Sequence, residues 1–157
     1  MTTTFDICEY LVGKVQADAA LVAFCTANFS KQPDFFIGFD ARKPPASDQV
    51  PFIMMVPNAL TNADDHREHG VLCAVVCTDD TQATAAKITK YNGFDIIEQF
   101  ETLVYDAIVA ALVPVYDEDP LEDQQPFTLL SSSQARFDQY YPEYHATREL
   151  TITSSEA

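Results

Sequence analysis

An apolar run in the middle of the chain, residues 69–79, limits the possible folds more than any other segment. Val71 and Cys73 alternate with Leu72 and Ala74 in this run, so apolar side chains point to both sides of an extended backbone. A strand with two apolar faces is typical of the centre of a sheet whose faces are both covered. The run therefore predicts a central β-strand.

Helices and further strands are predicted on either side of this strand. A helix over residues 19–29 is so continuously apolar that we expect it to be largely buried. A long amphipathic helix is predicted over residues 93–112, and a closing strand over residues 143–153. Residues 60–68 are expected to form a polar loop, and residues 83–90 a short helix or an irregular segment. The other predicted elements are a helix at 5–15 and strands at 35–39, 50–56 and 127–130.

This order of elements predicts an α+β fold in a single domain, residues 1–157. Strands that are neighbours in sequence favour antiparallel pairing, so we expect a mixed, mainly antiparallel sheet of about four to five strands with helices packed on one face. A length of 157 residues is sufficient for one domain with its own core.

The balance of charges is unusual for a domain with an ordinary apolar content. Nine Lys and Arg residues stand against 24 Asp and Glu residues, which gives a formal charge of -15. Such a chain is repelled by DNA, RNA and anionic membranes, which excludes sequence-specific nucleic-acid binding and membrane binding through a basic patch. The acidity either aids solubility or forms a surface that lets a polyanion pass or imitates one.

Two segments concentrate the acidic residues and are candidate acidic surfaces. Residues 117–123 hold five acids and no base, without the spaced pattern and glycine of a calcium loop. Residues 64–69 combine carboxylates with His66 and His69, whose spacing differs from that of helical zinc-enzyme motifs. At residues 64–69 a solvated loop is favoured over a metal or titrating site, and at residues 117–123 a solvated loop is favoured over an acidic functional surface and over a cation site. The candidate acidic residues are Asp117, Glu118, Asp119, Glu122, Asp123, Asp64 and Asp65.

No segment carries a pattern typical of catalysis or cofactor binding. No serine lies in a nucleophile elbow, and the four glycines are too scattered to cradle a phosphate. The first residues lack the basic and apolar regions of an export signal, so we expect the four cysteines to be reduced and buried. The sequence therefore predicts no catalytic residue, no metal ligand, no cofactor, and a protein that is not an enzyme.

Aromatic residues near the end of the chain form a candidate interface. Tyr140, Tyr141 and Tyr144 follow Phe137 in a polar segment, and tyrosine is enriched at protein interfaces. A satellite cluster of the hydrophobic core explains the same residues equally well. Both interpretations stay open from the sequence.

The order and length of these elements resemble the tail terminator, or tail completion, proteins of tailed bacteriophages and prophages. The resemblance covers residues 4–153 and is carried by the N-terminal helices, the strands at 51–56 and 70–77, the helix at 93–112 and the closing strand at 146–153. It implies an α+β domain whose copies close into a hexameric ring, which caps the completed tail tube and contacts head-completion proteins. It also implies no catalysis, assembly in the cytoplasm, and a place in the virion.

Two other functions stay open from the sequence. An acidic inhibitor or DNA mimic would act on a nucleic-acid-binding enzyme, with carboxylates spaced along one face like phosphates. A small enzyme would use residues 64–69 and would hold a metal ion when purified. The assembly interpretation is preferred, because an acidic ring lumen repels phosphates and lets DNA pass without sticking.

Overall fold

The computed structural model describes residues 2–64, 66–112 and 127–155. Its helices are α1 (Thr4–Gln16), α2 (Ala19–Phe29) and α3 (Gly93–Leu112), with a short 3-10 helix at Ser47–Gln49. Its strands are β1 (Asp34–Ile37), β2 (Phe52–Asn62), β3 (His66–Thr78), β4 (Gln82–Ala85), β5 (Ile88–Tyr91), β6 (Phe127–Ser132), β7 (Arg136–Tyr140) and β8 (Glu143–Ser155). Among these described residues, no helix has the length and apolar character needed to cross a membrane.

Six strands form one mixed sheet in the order β1-β2-β3-β8-β6, with β7 also paired to β8. β1 is parallel to β2, and the other pairs in this sheet are antiparallel. The α+β class and the mainly antiparallel sheet are confirmed. The sheet exceeds the expected number of strands because β8, with 13 residues, pairs along one edge with both β6 and β7.

The predicted central strand is β3, which pairs with β2 on one side and with β8 on the other. Every second residue from Val71 to Cys77 is buried in the main core, on the face covered by α1 and α3. On the opposite face, Val76 packs with Phe52 and Met54 in a second, smaller cluster. The central position of β3 is therefore confirmed, but helices cover only one of its faces; on the other face the small cluster is built from residues of the sheet itself, and Leu72 and Ala74 are half-buried.

Two segments that were not predicted as strands form β-hairpins instead. The loop predicted at 60–68 is wrong, because β2 continues to Asn62 and β3 begins at His66, with Asn62 paired to Arg67. The helix or irregular segment predicted at 83–90 is also wrong, because β4 and β5 pair as a separate two-stranded sheet. Hydrogen bonds between strands satisfy the backbone N–H and C=O groups whatever the side chains are. These hairpins therefore form without the alternation of apolar and polar residues by which a strand is predicted from sequence.

Helix α2 is much more exposed than its sequence predicts. Only Leu21 and Cys25 are buried, while Phe24 and Phe29 are partly buried, with their rings against that of Phe100 on α3. The expectation of a largely buried helix is wrong because α2 lies at the periphery and packs mainly on α3 and α1. Its other side faces away from this core.

Candidate assembly surface

An ion pair inside the domain joins α3 to β8. Glu101 is only 5% exposed, and its carboxylate accepts hydrogen bonds from Nε and Nη2 of Arg148 at 2.6 and 3.0 Å. The guanidinium lies 3.8 Å from the centre of the Tyr105 ring and donates to the carbonyl oxygen of Ser133. The hydrogen bond to Glu101 raises the pKa of Arg148. The pair fastens the helix to the sheet through charge-assisted, bidentate contacts.

The ion pair is closed towards the core, whereas Arg148 also lines an open groove of about 570 Å³ together with Leu72 and Arg136. The gap next to the pair has no room for a water molecule. All four cysteines are free and buried, which confirms the prediction. Burial raises the pKa of the thiols of Cys8 and Cys25 to about 11, and those of Cys73 and Cys77 to about 12. Because the thiolate is the nucleophilic form, these side chains act as small apolar groups.

His69 is a second buried polar group, and it ties α1 to the sheet. Its Nδ1 lies 2.9 Å from Oγ1 of Thr4, and its Nε2 lies 2.9 Å from Oγ of Ser154. His66 instead lies beside Glu68, with 3.4 Å between Nε2 and Oε1. The structure therefore separates the two histidines. Within residues 2–64, 66–112 and 127–155, no three His, Cys, Asp or Glu residues form a group that could hold a metal ion.

Among the predicted acidic surface residues, Asp64 is the one that the structure describes. It is exposed at the turn between β2 and β3. Asp65 and the five acids of residues 117–123 lie outside the described residues. On α3, Asp95 and Glu98 line an open groove of about 380 Å³. The described structure thus places acidic groups on α3 as well as at the β2–β3 turn.

Tyr144 does not belong to an exposed interface. It is fully buried, with its ring 5.1 Å from the Phe94 ring and packed directly on Gly93. The interface prediction is wrong here because alternation along β8 turns Tyr144 and Ala146 towards the helices. Gly93 makes room for the ring, since a Cβ at that position would overlap it. The core interpretation is the correct one for this residue.

Tyr140 and Tyr141 are exposed at the turn between β7 and β8, by 65% and 45%. The Tyr141 hydroxyl donates to the carbonyl oxygen of Asp80 at 2.9 Å, and its ring packs edge-on against that of Tyr91 at 5.5 Å. We call Tyr91, Tyr140 and Tyr141 the aromatic end. These contacts hold two of its rings in place while leaving apolar surface exposed.

The hairpin of β4 and β5, residues 82–91, stands apart from the main sheet, and we call it the arm. All ten of its residues are exposed, and Ile88 is 71% exposed. Its two strands pair only with each other among the described strands. Ala86 and Lys87 form the turn with φ of 52° and 66°, values that usually require Asn and Gly. Lys90 makes an ion pair with Asp95 of α3 at 2.6 Å.

The exposed side of α2 is almost entirely apolar, and we call it the α2 face. Helix α2 contains no charged residue. The one hydroxyl on this side, that of Thr26, donates to the carbonyl oxygen of Val22 at 3.0 Å. A helix that is apolar all round is normally buried. The exposed residues of the α2 face are Ala19, Ala20, Val22, Ala23, Thr26 and Ala27, and the exposed polar Asn28 lies next to them, with its amide donating to the carbonyl oxygen of Phe24.

A depression of about 100 Å³ adjoins the α2 face where α2 meets the start of β1. Its lining includes Leu21, Val22 and Phe35. Asp18 begins α2 and accepts a hydrogen bond from the backbone N–H of Leu21 at 2.9 Å. Asp34 begins β1 and is exposed. Acidic residues therefore stand at the starts of α2 and β1, while Gln16 of α1 and Gln32 add polar groups to the lining of the depression.

The fold and these surfaces define an α+β domain with two dissimilar exposed surfaces, the arm and the α2 face. No protein-family model matches the chain, and no curated protein gives a significant match.

Sequence reasoning missed both surfaces. The alanine content of α2 was the available signal, because alanine buries little area and lets an apolar helix stay peripheral.

Proposed function

We propose that this chain is a tail terminator-like assembly protein of a phage or prophage. Its copies form a ring that caps the tail tube and joins it to the head. The α2 face carries the proposal, because α2 has no charged residue and is mostly apolar, and yet only Leu21 and Cys25 are buried. Contiguous exposed apolar surface marks a contact with another protein. A subunit of an assembly covers such a surface in its finished complex.

The presence of two dissimilar surfaces supports a ring. A ring closes through a head-to-tail contact, which requires two different patches on each subunit. The arm and the α2 face are two such patches, whereas a symmetric dimer needs one self-complementary patch. The aromatic end is a further exposed surface, suited to the tail tube or to a head-completion protein.

The formal charge of -15 supports a role on the path of DNA. A ring at the junction of head and tail surrounds the DNA that passes through it. Carboxylates repel phosphates, so an acidic subunit does not retain the DNA. The same charge is compatible with a DNA mimic, but a mimic that acts as a monomer has no use for the α2 face.

Deletion of the gene from the phage or prophage genome tests the proposal. We expect capsid and tail genes beside it, and in the deletion strain we expect tails of uncontrolled length that are not joined to heads. A plasmid copy restores normal particles, and so does the Ala110→Glu variant, which alters an exposed alanine of α3. The Ala23→Glu variant, which alters the α2 face, does not restore them.

Normal tails joined to heads in the deletion strain would contradict the proposal. The DNA-mimic alternative has its own outcome in a binding experiment with purified protein. It predicts a stable monomer that displaces DNA from a nucleic-acid-binding enzyme, with Ala23→Glu as active as the wild type.

A further inference from the structure

Resting on the proposed ring, we infer that the arm of one copy docks on the α2 face of the next copy. This assigns the head-to-tail contact to residues 82–91 on one side and to α2 with its adjoining depression on the other. The occupant of the α2 face is thus a second copy of this chain.

Charge complementarity is the first support. The arm carries two of the nine Lys and Arg residues and none of the 24 Asp and Glu residues. It is a basic element on a strongly acidic protein. The α2 face has no charge of its own, but Asp18 caps the start of α2 and Asp34 begins β1, two of the three elements whose residues line its depression. Because Lys90 is paired with Asp95 of its own subunit, Lys87 at the turn is the charge that the arm brings to the acidic margin of this surface.

Apolar complementarity is the second support. Besides its lysines, the arm exposes Ile88 and three alanines, and it ends at Tyr91 of the aromatic end. The α2 face consists of alanines, Val22 and a threonine whose hydroxyl is satisfied within the helix. Small side chains on a helix let another backbone approach closely, so a flat hairpin fits against them. The isoleucine is the natural anchor for the depression.

The isolation of the arm is the third support. An isolated two-stranded hairpin is at best marginally stable in water, and among the described residues the contacts of this one with the rest of the domain are those of Tyr91 and Lys90 near its end. The arm also has a turn of Ala86 and Lys87 in a conformation that neither residue favours. Contact with a neighbouring copy would stabilise the arm. The contact would cover either the two unpaired edges of the hairpin or one of its faces.

Two variants separate the two halves of this contact. The arm variant combines Lys87→Glu with Ile88→Glu, and the α2 variant combines Ala23→Glu with Ala27→Glu. All four positions are exposed, so both variants are expected to keep the wild-type circular dichroism and thermal unfolding. Lys43→Glu and Ala110→Glu are matched controls, since they make comparable changes at exposed positions outside the two surfaces.

Sedimentation velocity gives the readout at matched protein concentrations. We expect wild type and both controls to assemble, and each variant alone to remain a monomer, with association weakened about a hundred-fold or more. A mixture of the arm variant with the α2 variant is expected to form a one-to-one dimer that does not grow. Each such pair retains one intact arm and one intact α2 face.

The other outcomes overturn the inference in distinguishable ways. If wild type and both variants form the same ring, the contact lies elsewhere, while the proposed function stands. If the two variants fail to pair with each other, the surfaces are not partners. The inference would also be overturned if the α2 face paired with a protein that has no such arm, for example a tail tube subunit alone. If wild type stays a monomer at every concentration, the ring and this contact both fall.

Discussion

Replacing Arg148 by methionine should leave the carboxylate of Glu101 buried without its counter-charge. Glu101 is 5% exposed and receives two hydrogen bonds from the guanidinium, at 2.6 and 3.0 Å. Removing one partner of a buried ion pair costs about 3–5 kcal/mol. For a domain of this size that corresponds to a fall in Tm of roughly 10 °C. Methionine retains much of the aliphatic packing, so the loss reports mainly on the charge.

A double-mutant cycle in urea, followed by circular dichroism, separates this coupling from the effect of packing. Glu101→Leu combined with Arg148→Met should restore the free energy of unfolding to within about 1–2 kcal/mol of wild type, because an apolar pair has no desolvation penalty. The double variant should therefore be about 2–3 kcal/mol more stable than Arg148→Met alone, and any cost of Glu101→Leu alone adds to this coupling.

Arg42→Met is the matched control, since Arg42 pairs with Asp40 at 3.0 Å but the two side chains are 89% and 44% exposed. We expect it to cost less than about 1 kcal/mol, as exposed pairs do. If Arg148→Met cost no more than Arg42→Met, or if the cycle showed no coupling, the description of a closed and charged interior would be refuted.

Three further predictions concern the packing of the domain. Gly93→Ala should lower the free energy of unfolding by about 1–3 kcal/mol, because the added methyl overlaps the Tyr144 ring. The methyl added by Gly13→Ala meets no neighbour, so this substitution should raise the free energy of unfolding by about 0.5–1 kcal/mol. Equal effects of the two glycine substitutions in chemical denaturation would count against the packing described. Hydrogen bonds from the backbone and side chain of Thr3 lower the pKa of Asp6 below 3.8, so its contribution to stability is present above pH 3.8 and is lost as pH falls through the folded-state pKa. Denaturation at several pH values should show Asp6→Asn less stable than wild type near neutrality and equal to it in acid, and a pH-independent gap would argue against the cap. The four thiols should react slowly with a disulfide reagent at pH 8 in the native protein and fast in urea, because burial raises their pKa; one fast native thiol would contradict their burial.

Elements governed by one local pattern were predictable from the sequence. The apolar faces of β3 place it at the centre of the sheet, and helical spacing predicts α3 with the bounds that the structure shows. The closing strand also begins where it was expected, at Glu143. In each case the residues that decide the conformation lie within the element itself.

Elements governed by tertiary contacts were not predictable in this way. Tyr144 is buried because Gly93, far away in the sequence, leaves space for its ring. The arm is held by cross-strand hydrogen bonds between residues with no apolar alternation, so periodicity does not reveal it. The exposure of α2 depends on which elements remain to cover it; the alanines within Ala19–Phe29 permit exposure but do not decide it. The arm and the α2 face therefore became evident only in the structure, whereas the net negative charge of the chain was evident from its composition.

The central claim is that copies of this chain cover the α2 face by assembling into a closed ring. Native mass spectrometry of the purified protein over increasing concentration, beside Ala23→Glu and Ala110→Glu, tests this claim most directly. We predict a single closed multimer for wild type and for Ala110→Glu, and monomers for Ala23→Glu. A wild type that remains monomeric at every concentration, or an Ala23→Glu variant that assembles as fully as the wild type, would contradict it.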